Sequence, residues 1–488
     1  MRVDRWDDWG KYRTQFMLFV FDEDGAPHDI GYVKIGHVGL KPGREVSENT
    51  RAPKLAQSFD SLPLHYFSLG QSEDYYENLN ALSEAMKMKV LIGLRDIAYD
   101  LDLLKEVLSE DVMSESLLRY LRISNVETRL HSLALGTASL TPFNFEYTYP
   151  SNRSSEDLPH SLSFNVVPHS IPPTNVHVII GRNGVGKTSV MQSMSTILLN
   201  GSANEEEYGK IIFNGDDIED TVFVGLILVS FSAFDNFDLP IPSTQRLRVG
   251  AIGLRTKTPN GEVKIKDPSK LAEDFVNSFR KCKSGVKAGR WRSAVETLSN
   301  DPLFAETNIV ELLELRGDDW EEKCYSFYDK LSSGHKIVLL TITRLVELVD
   351  EKTLVLIDEP EGHLHPPLLA AFVRTLSNLL IERNGVAIIS THSPVVLQEV
   401  PKSCVWVLHR SGSISTANRP RIETFGEEVG VLTREVFGLE VTNSGYHELI
   451  KKEVDNGRDY GQLINSFKEQ IGAEGKAIAK AMILTRDS

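Results

Sequence analysis

The chain has 488 residues, 41% hydrophobic and 25% charged, so it holds material for about two to four packed units and is neither disordered nor fibrous. Acidic residues outnumber basic ones by 68 to 53, and the formal net charge of −15 excludes a chain that coats nucleic acid indiscriminately, leaving only a local basic patch open. Cys282, Cys324 and Cys404 lie far apart with no CxxC pair, which argues against a disulfide scaffold or zinc ribbon and fits a reducing compartment.

The opening segment MRVDRWDDWGKYRTQ lacks the apolar run of a signal peptide, and no stretch reaches the roughly 20 apolar residues of a membrane span. A soluble, cytoplasmic protein with no membrane partner is expected. Short β-rich runs at residues 16–21 and 30–36 flank an acidic turn at 22–25 and predict a hairpin. From about residue 75 to 121, apolar positions such as Leu79, Leu82, Met86, Val90, Ile97, Leu101 and Leu104 recur mostly three or four apart, the spacing of amphipathic helices. Extended runs follow at 143–149 and 161–167, then an apolar run at 175–180 ending on a glycine, then strands at 210–215 and 221–231. A basic region of low apolar periodicity covers about 241–300. Helices are expected at 309–316, 333–349 and about 366–383, with strands at 353–357 and 386–390. Strand–helix alternation after residue 175 predicts an α/β sheet that is at least partly parallel.

The sharpest motif is Gly181-Arg182-Asn183-Gly184-Val185-Gly186-Lys187-Thr188, a G-x-x-x-x-G-K-[ST] pattern that follows a β-rich run and leads, from Ser189, into a helix-compatible segment. Its glycines let consecutive N–H groups face phosphate oxygens, Lys187 reaches the β- and γ-phosphates, and the Thr188 hydroxyl holds Mg²⁺. In a second motif an apolar strand ends in Asp358 and Glu359. A carboxylate at such a strand tip sits beside a phosphate loop, where Asp358 can hold the metal and Glu359 can act as general base on the attacking water. Ser332, Ser333 and Gly334 in the run LSSGH open a predicted helix with a hydroxyl and free N–H groups, a second anion site that another copy of the chain would use in trans. His392, at the tip of the 386–390 strand, can hydrogen-bond a γ-phosphate.

In this order the four motifs resemble the nucleotide-binding head of the ABC ATPase superfamily, over roughly residues 170–410. The LSSG variant and the DEPEGHLHP run at 358–366 look like the soluble SMC-type and OLD-like ATPases. They look above all like the stand-alone AAA-type ATP-binding proteins of bacterial anti-phage systems such as Septu and retron-associated modules; residues 425–449 look like that group too. The resemblance implies an α/β fold, an ABC ATPase head (P-loop NTPase) with an antiparallel β subdomain, a helical insertion and a basic helical lobe. It also implies ATP and Mg²⁺ as cofactors, ATP hydrolysis, and a homo-oligomer of heads. Residues 181–188 would be Walker A, residues 331–335 the signature, Asp358 and Glu359 Walker B, and His392 the switch histidine. The corresponding division is 1–240 for an N-terminal lobe with the helical insertion at about 75–121, 241–325 for the basic helical lobe, 326–425 for the C-terminal lobe, and 426–488 for a helical tail that docks a partner or caps the core.

Two positions depart from the pattern. The expected glutamine is missing from residues 228–239, where Ser230, Ser232, Asp235 or Asn236 can substitute, and a position that is often Asp in the family carries His365. Lys187 and Ser332 are only 145 residues apart (332 − 187) with no heptad run, so the long arms of SMC proteins are not expected. Between Arg246 and Arg292, 13 basic residues face four acidic ones, open to a nucleic-acid contact, an acidic partner or plain charge balance. The 96 residues after His392 (488 − 392) carry no DxD or HxxxH pattern, so a damaging activity is expected in a separate effector such as an HNH-type nuclease. The implied role is the sensor or regulator ATPase of an anti-phage system. The alternative is a DNA-repair or recombination ATPase that binds DNA through the basic lobe.

Overall fold

The computed structural model describes residues 1–4, 8, 11–21, 25–43, 51–136, 140, 142–150, 161–200, 205–214, 223–231, 247–257, 263–317, 319–411, 414–438 and 445–487. The first four strands, β1 (Arg2–Val3), β2 (Gln15–Phe21), β3 (Pro27–His37) and β4 (Tyr66–Gly70), form an antiparallel sheet in sequential order. Alternating residues of β2 and β3, among them Phe16, Leu18, Val33 and Ile35, turn inward as a half-covered sheet requires. They meet the apolar faces of the helices Glu73–Asn80, Glu84–Gly93 and Leu101–Val107, through Tyr75, Tyr76, Leu79, Leu91 and Leu104. The helices expected near 75–121 therefore do not interrupt the nucleotide-binding lobe. With β1–β4 they make a unit with its own hydrophobic core, because their apolar stripes are used up on that sheet.

A second antiparallel sheet, in the order β6-β5-β8, consists of β5 (Phe143–Thr148), β6 (Ser161–Val166) and β8 (Lys210–Phe213). The central sheet contains β7 (Val176–Gly181), β9 (Gly225–Ser230), β10 (Arg248–Gly253), β13 (Thr353–Asp358), β14 (Val386–Thr391), β15 (Val405–Ser411) and β16 (Ile414–Asn418) in the order β10-β9-β13-β14-β7-β15-β16. All its pairings are parallel except β15 with β16.

Strands β7, β13 and β14 are buried along their whole length, which explains their near-continuous apolar sequences. Leu354, Leu356, Val386 and Ile388 face the helix Lys187–Asn200 and the aromatic β5–β6 sheet. Val355, Ile357, Ala387 and Ile389 face the opposite layer, which is built by the helices Pro268–Cys282, Gly285–Leu298, Ser333–Leu348 and Pro366–Glu382.

The segment expected to be a helical lobe at 241–325 begins instead with β10, an edge strand of the central sheet paired with β9, and continues through the hairpin β11 (Arg255–Lys257) and β12 (Val263–Ile265). Glycines at 250 and 253 break the apolar run of β10 and hide it from a periodicity argument. The helix after it is also amphipathic, with Ala272, Phe275, Val276 and Phe279 buried, so the low periodicity expected there does not hold. At the far end the helices Tyr446–Asp455, Tyr460–Ser466 and Ala473–Asp487 pack around a small core of their own.

Candidate active site

The candidate site forms at the carboxyl ends of neighbouring parallel strands, where α/β sheets bind ligands. Gly184 and Gly186 have φ of +81° and +102°, left-handed values that curl the chain between β7 and the helix Lys187–Asn200. Arg182, Asn183, Gly184 and Ser189 are exposed, Val185, Gly186 and Thr188 partly so, and Gly181 is buried as the last residue of β7. Lys187 is buried, and its Nζ donates to the carbonyls of Gly181 and Arg182, both at 3.1 Å. A triphosphate bound here would offer that ammonium a stronger acceptor than two neutral carbonyls.

Asp358 is fully buried at the tip of β13, in register with Ser390 of β14 and Ser230 of β9. The Thr188 hydroxyl donates to its Oδ2 at 3.0 Å. One hydroxyl and one carboxylate side by side suit Mg²⁺, a hard cation that takes few protein ligands and fills its other positions with phosphate oxygens and water. These two residues therefore fit the ion that the motif implies.

Glu359 has a φ of +46°, unusual for a residue with a side chain, and its N–H donates to the Ser390 carbonyl at 2.9 Å. That kink takes the side chain out of the strand's alternation. Its Oε1 lies 3.9 Å from Lys187 Nζ and 3.8 Å from His392 Nδ1, and the carboxylate is 29% exposed, open to a water. The structure thus brings together Lys187, Thr188, Asp358, Glu359 and His392.

Ser332, Ser333 and Gly334 form a second group. Ser332 caps the helix Ser333–Leu348 by accepting the His335 N–H at 3.3 Å, and Ser332 and Ser333 are exposed. Gly334 packs against the loop behind Glu359, where a β-carbon would stand 2.8 Å from the His363 carbonyl oxygen, so only glycine allows that approach. Among the substitutes for the missing glutamine, Ser230 ends β9, while Ser232, Asp235 and Asn236 lie outside the described residues.

Two neighbours escaped the sequence reading. Glu361 Oε1 accepts from the Thr391 hydroxyl at 2.6 Å and the His392 N–H at 2.7 Å, and lies 3.1 Å from His392 Nδ1. A carboxylate there favours the proton on Nδ1. The only signal for it was a second acid two places after Glu359. Arg410, just beyond the β15 residue that pairs with Gly181, donates to the Gly184 carbonyl at 3.4 Å and had no signal at all.

Many basic residues of the 246–292 segment pair with acids of the same chain. Lys266 pairs with Asp274, Arg280 with Glu321, Lys281 with Glu347, Lys287 and Arg290 with Asp74, Arg292 with Glu314, and Arg248 with Asp350. Trp291 is fully buried and donates to Thr343 Oγ1 at 2.9 Å, unavailable for stacking on bases. Much of the charge excess counted between Arg246 and Arg292 is thus balanced by acids of the same chain; Arg246 itself lies outside the described residues.

A family model described as an AAA domain, putative AbiEii toxin, type IV TA system, matches residues 310–398, which carry Ser332, Asp358, Glu359 and His392. Across its entire length the chain is 43% identical to protein ea59 of Escherichia phage lambda, an alignment that covers 100% of this chain and 95% of that protein. The chain belongs to the ea59 family. This ea59-family chain is also 24% identical to Septu protein PtuA of Bacillus mycoides (strain KBAB4), over 56% of its own length and 42% of PtuA's. Among solved structures, an ATP-binding cassette of an ABC transporter in its ADP conformation matches at 16% identity and a TM-score of 0.32, covering 62% of this chain and 99% of the cassette. The ea59-family chain has the α/β architecture with a largely parallel central sheet that its motifs implied, the P-loop following β7 and the carboxylate pair ending β13. No helix among its described residues is long and apolar enough to cross a membrane.

Proposed function

We propose that this ea59-family chain is an ATP-hydrolysing molecular switch in which two heads clasp ATP between them, and that it controls a separate effector in a defence-type system. The observation that carries this reading is the convergence of Lys187, the Thr188–Asp358 pair at 3.0 Å, Glu359 and His392 at the carboxyl ends of β7, β13 and β14. Lys187 would exchange its two carbonyl partners for β- and γ-phosphate oxygens. Thr188 and Asp358 would hold Mg²⁺, which when bound neutralises charge on the phosphates. Glu359 would draw a proton from the attacking water, and His392, oriented by Glu361, would hydrogen-bond the γ-phosphate. Ser332, Ser333 and Gly334 of a second copy would complete the pocket with a hydroxyl and helix N–H groups.

ATP then selects the closed pair because the signature groups gain a charged partner only while the γ-phosphate is present, and hydrolysis releases them. The likeness to Septu protein PtuA supports a defence-type role with a separate effector, an HNH-type nuclease being the class expected from the sequence. The ea59 relative is itself a phage protein, so phage genomes carry members of the family.

Lys187→Ala tests the nucleotide half of this reading. Loss of a charged hydrogen-bonding partner to two phosphates is expected to weaken ATP binding about 10- to 100-fold in equilibrium dialysis. Unchanged ATP affinity would contradict the P-loop role.

A further inference from the structure

Asp301, which no motif points to, joins the signature turn to the loop behind the carboxylate pair. It lies at the start of the short helix Pro302–Ala305, is almost completely buried, and its Oδ1 accepts the Phe304 N–H at 2.8 Å. Its Oδ2 stands 3.2 Å from Nε2 of His365, seven residues after Asp358. The ring's other nitrogen, Nδ1, accepts the Leu368 N–H at 3.3 Å and so caps the helix Pro366–Glu382. The Leu368 bond makes Nδ1 the acceptor, so in the neutral ring the proton sits on Nε2, the nitrogen that faces Asp301. His335, the last residue of LSSGH, lies on the same carboxylate with Nε2 3.9 Å from Oδ1 and its ring edge-on to Phe304. Burial pushes His335 below its usual pKa, against the pull of Asp301. Gly334 meanwhile rests on the His363 carbonyl.

We infer that Asp301 and His365 are positioning residues that latch the signature turn of each copy to the loop behind its own carboxylate pair. The link begins at Glu359, runs through Glu361 and His363 to His365, crosses to Asp301, and ends at His335 and Gly334. A histidine suits this position because one nitrogen caps the following helix while the other holds the carboxylate. An aspartate at residue 365 could cap equally well but would repel Asp301. The inference rests on the two-headed reading above only for its consequence: a latched turn meets the partner's triphosphate already in place, and an unlatched one must be ordered on binding.

His365→Asn and Asp301→Asn test it in the full chain. Asparagine at 365 still caps the helix but cannot span to Asp301. At 301 it still accepts the Phe304 N–H but presents the wrong partner to Nε2–H. In the nucleotide-free protein, each variant is expected to speed amide hydrogen exchange at residues 334–336 about tenfold, with the double variant no faster than either single one. In a Glu359→Gln background with Mg²⁺ and ATP, each is expected to weaken the dimer about tenfold while leaving ATP affinity per chain unchanged. Unaltered exchange at the signature turn overturns the latch, whatever the dimer does. Faster exchange with an equally tight dimer overturns its role in assembly. If the Glu359→Gln chain fails to dimerise at all while exchange responds as expected, the two-headed reading fails and the latch survives as a feature of the single head.

Discussion

Glu359→Gln is expected to lower the turnover number for ATP about 10²- to 10⁴-fold, the range lost with a positioned general base, while ATP affinity stays within about twofold. The amide has the carboxylate's shape and can keep the kinked backbone, whose N–H is held by the Ser390 carbonyl at 2.9 Å. What it cannot do is accept a proton from water. It also removes the negative charge 3.9 Å from the Lys187 ammonium, which leaves that lysine freer to meet phosphate. Steady-state phosphate release and equilibrium dialysis on the same preparation separate the two effects. Turnover at the parental rate would show that Glu359 is not the base.

The second large effect concerns the seam between the N-terminal unit and the head. Arg383, fully buried at the end of the helix Pro366–Glu382, faces Glu73 at 3.1 Å, Glu77 at 2.7 Å and, more loosely, Asp350 and Asp74. Arg290, Lys287 and Arg129 join the same cluster, Arg129 meeting Glu351 at 3.0 Å. Removing one member of a buried charge cluster leaves its partners desolvated and unpaired, so Arg383→Met should destabilise the fold by about 3–5 kcal/mol in urea unfolding. Limited proteolysis should cut first within residues 1–136, the unit that this cluster holds in place.

The pH dependence carries a sign. Burial alone would raise the Asp74 carboxyl, but Lys287, Arg383 and Arg290 outweigh it and hold it well below the ordinary carboxylate range. The stability this contributes is present above the unfolded value near 3.8 and is lost as pH falls toward the folded value. Without Arg383 that contribution shrinks, so the gap between wild type and variant should narrow as the pH is lowered through 4. Glu351 works the other way: burial first, then the charge of Glu73, raises it to about 7, so its ionisation costs stability as pH rises from about 4.5 through 7.

How much of this was legible beforehand depended on whether the signal was local. The P-loop and the strand ending in Asp358 were readable because a fully buried parallel strand is an unbroken apolar run, and the residue that ends it is conspicuous. The separate N-terminal core was not. Periodicity identifies an apolar face at Tyr75 to Leu104 without saying which sheet it covers. β10 was lost to its glycines.

The basic segment stayed open in sequence because the acids that pair with it are remote along the chain. Arg290 finds Asp74 across 216 residues, and Arg280 finds Glu321 across 41. Glu361 and Asp301 share another reason. A carboxylate that positions a histidine looks in sequence like any acid in a loop, and only the 3.1 and 3.2 Å approaches to His392 and His365 give them away.

The proposition that two copies complete each other's pocket is tested most directly by the sedimentation mass of Glu359→Gln, with and without Ser333→Glu. Ser333 is exposed at the first turn of its helix, where a glutamate favours the helix dipole and leaves the fold intact while repelling an incoming triphosphate. With Mg²⁺ and ATP, Glu359→Gln should shift from 54.6 kDa to twice that mass, and addition of Ser333→Glu should return it to the single-chain value with ATP still bound. A Glu359→Gln chain that binds ATP and stays at the single-chain mass, or a double variant that pairs as tightly as the parent, would contradict the shared pocket.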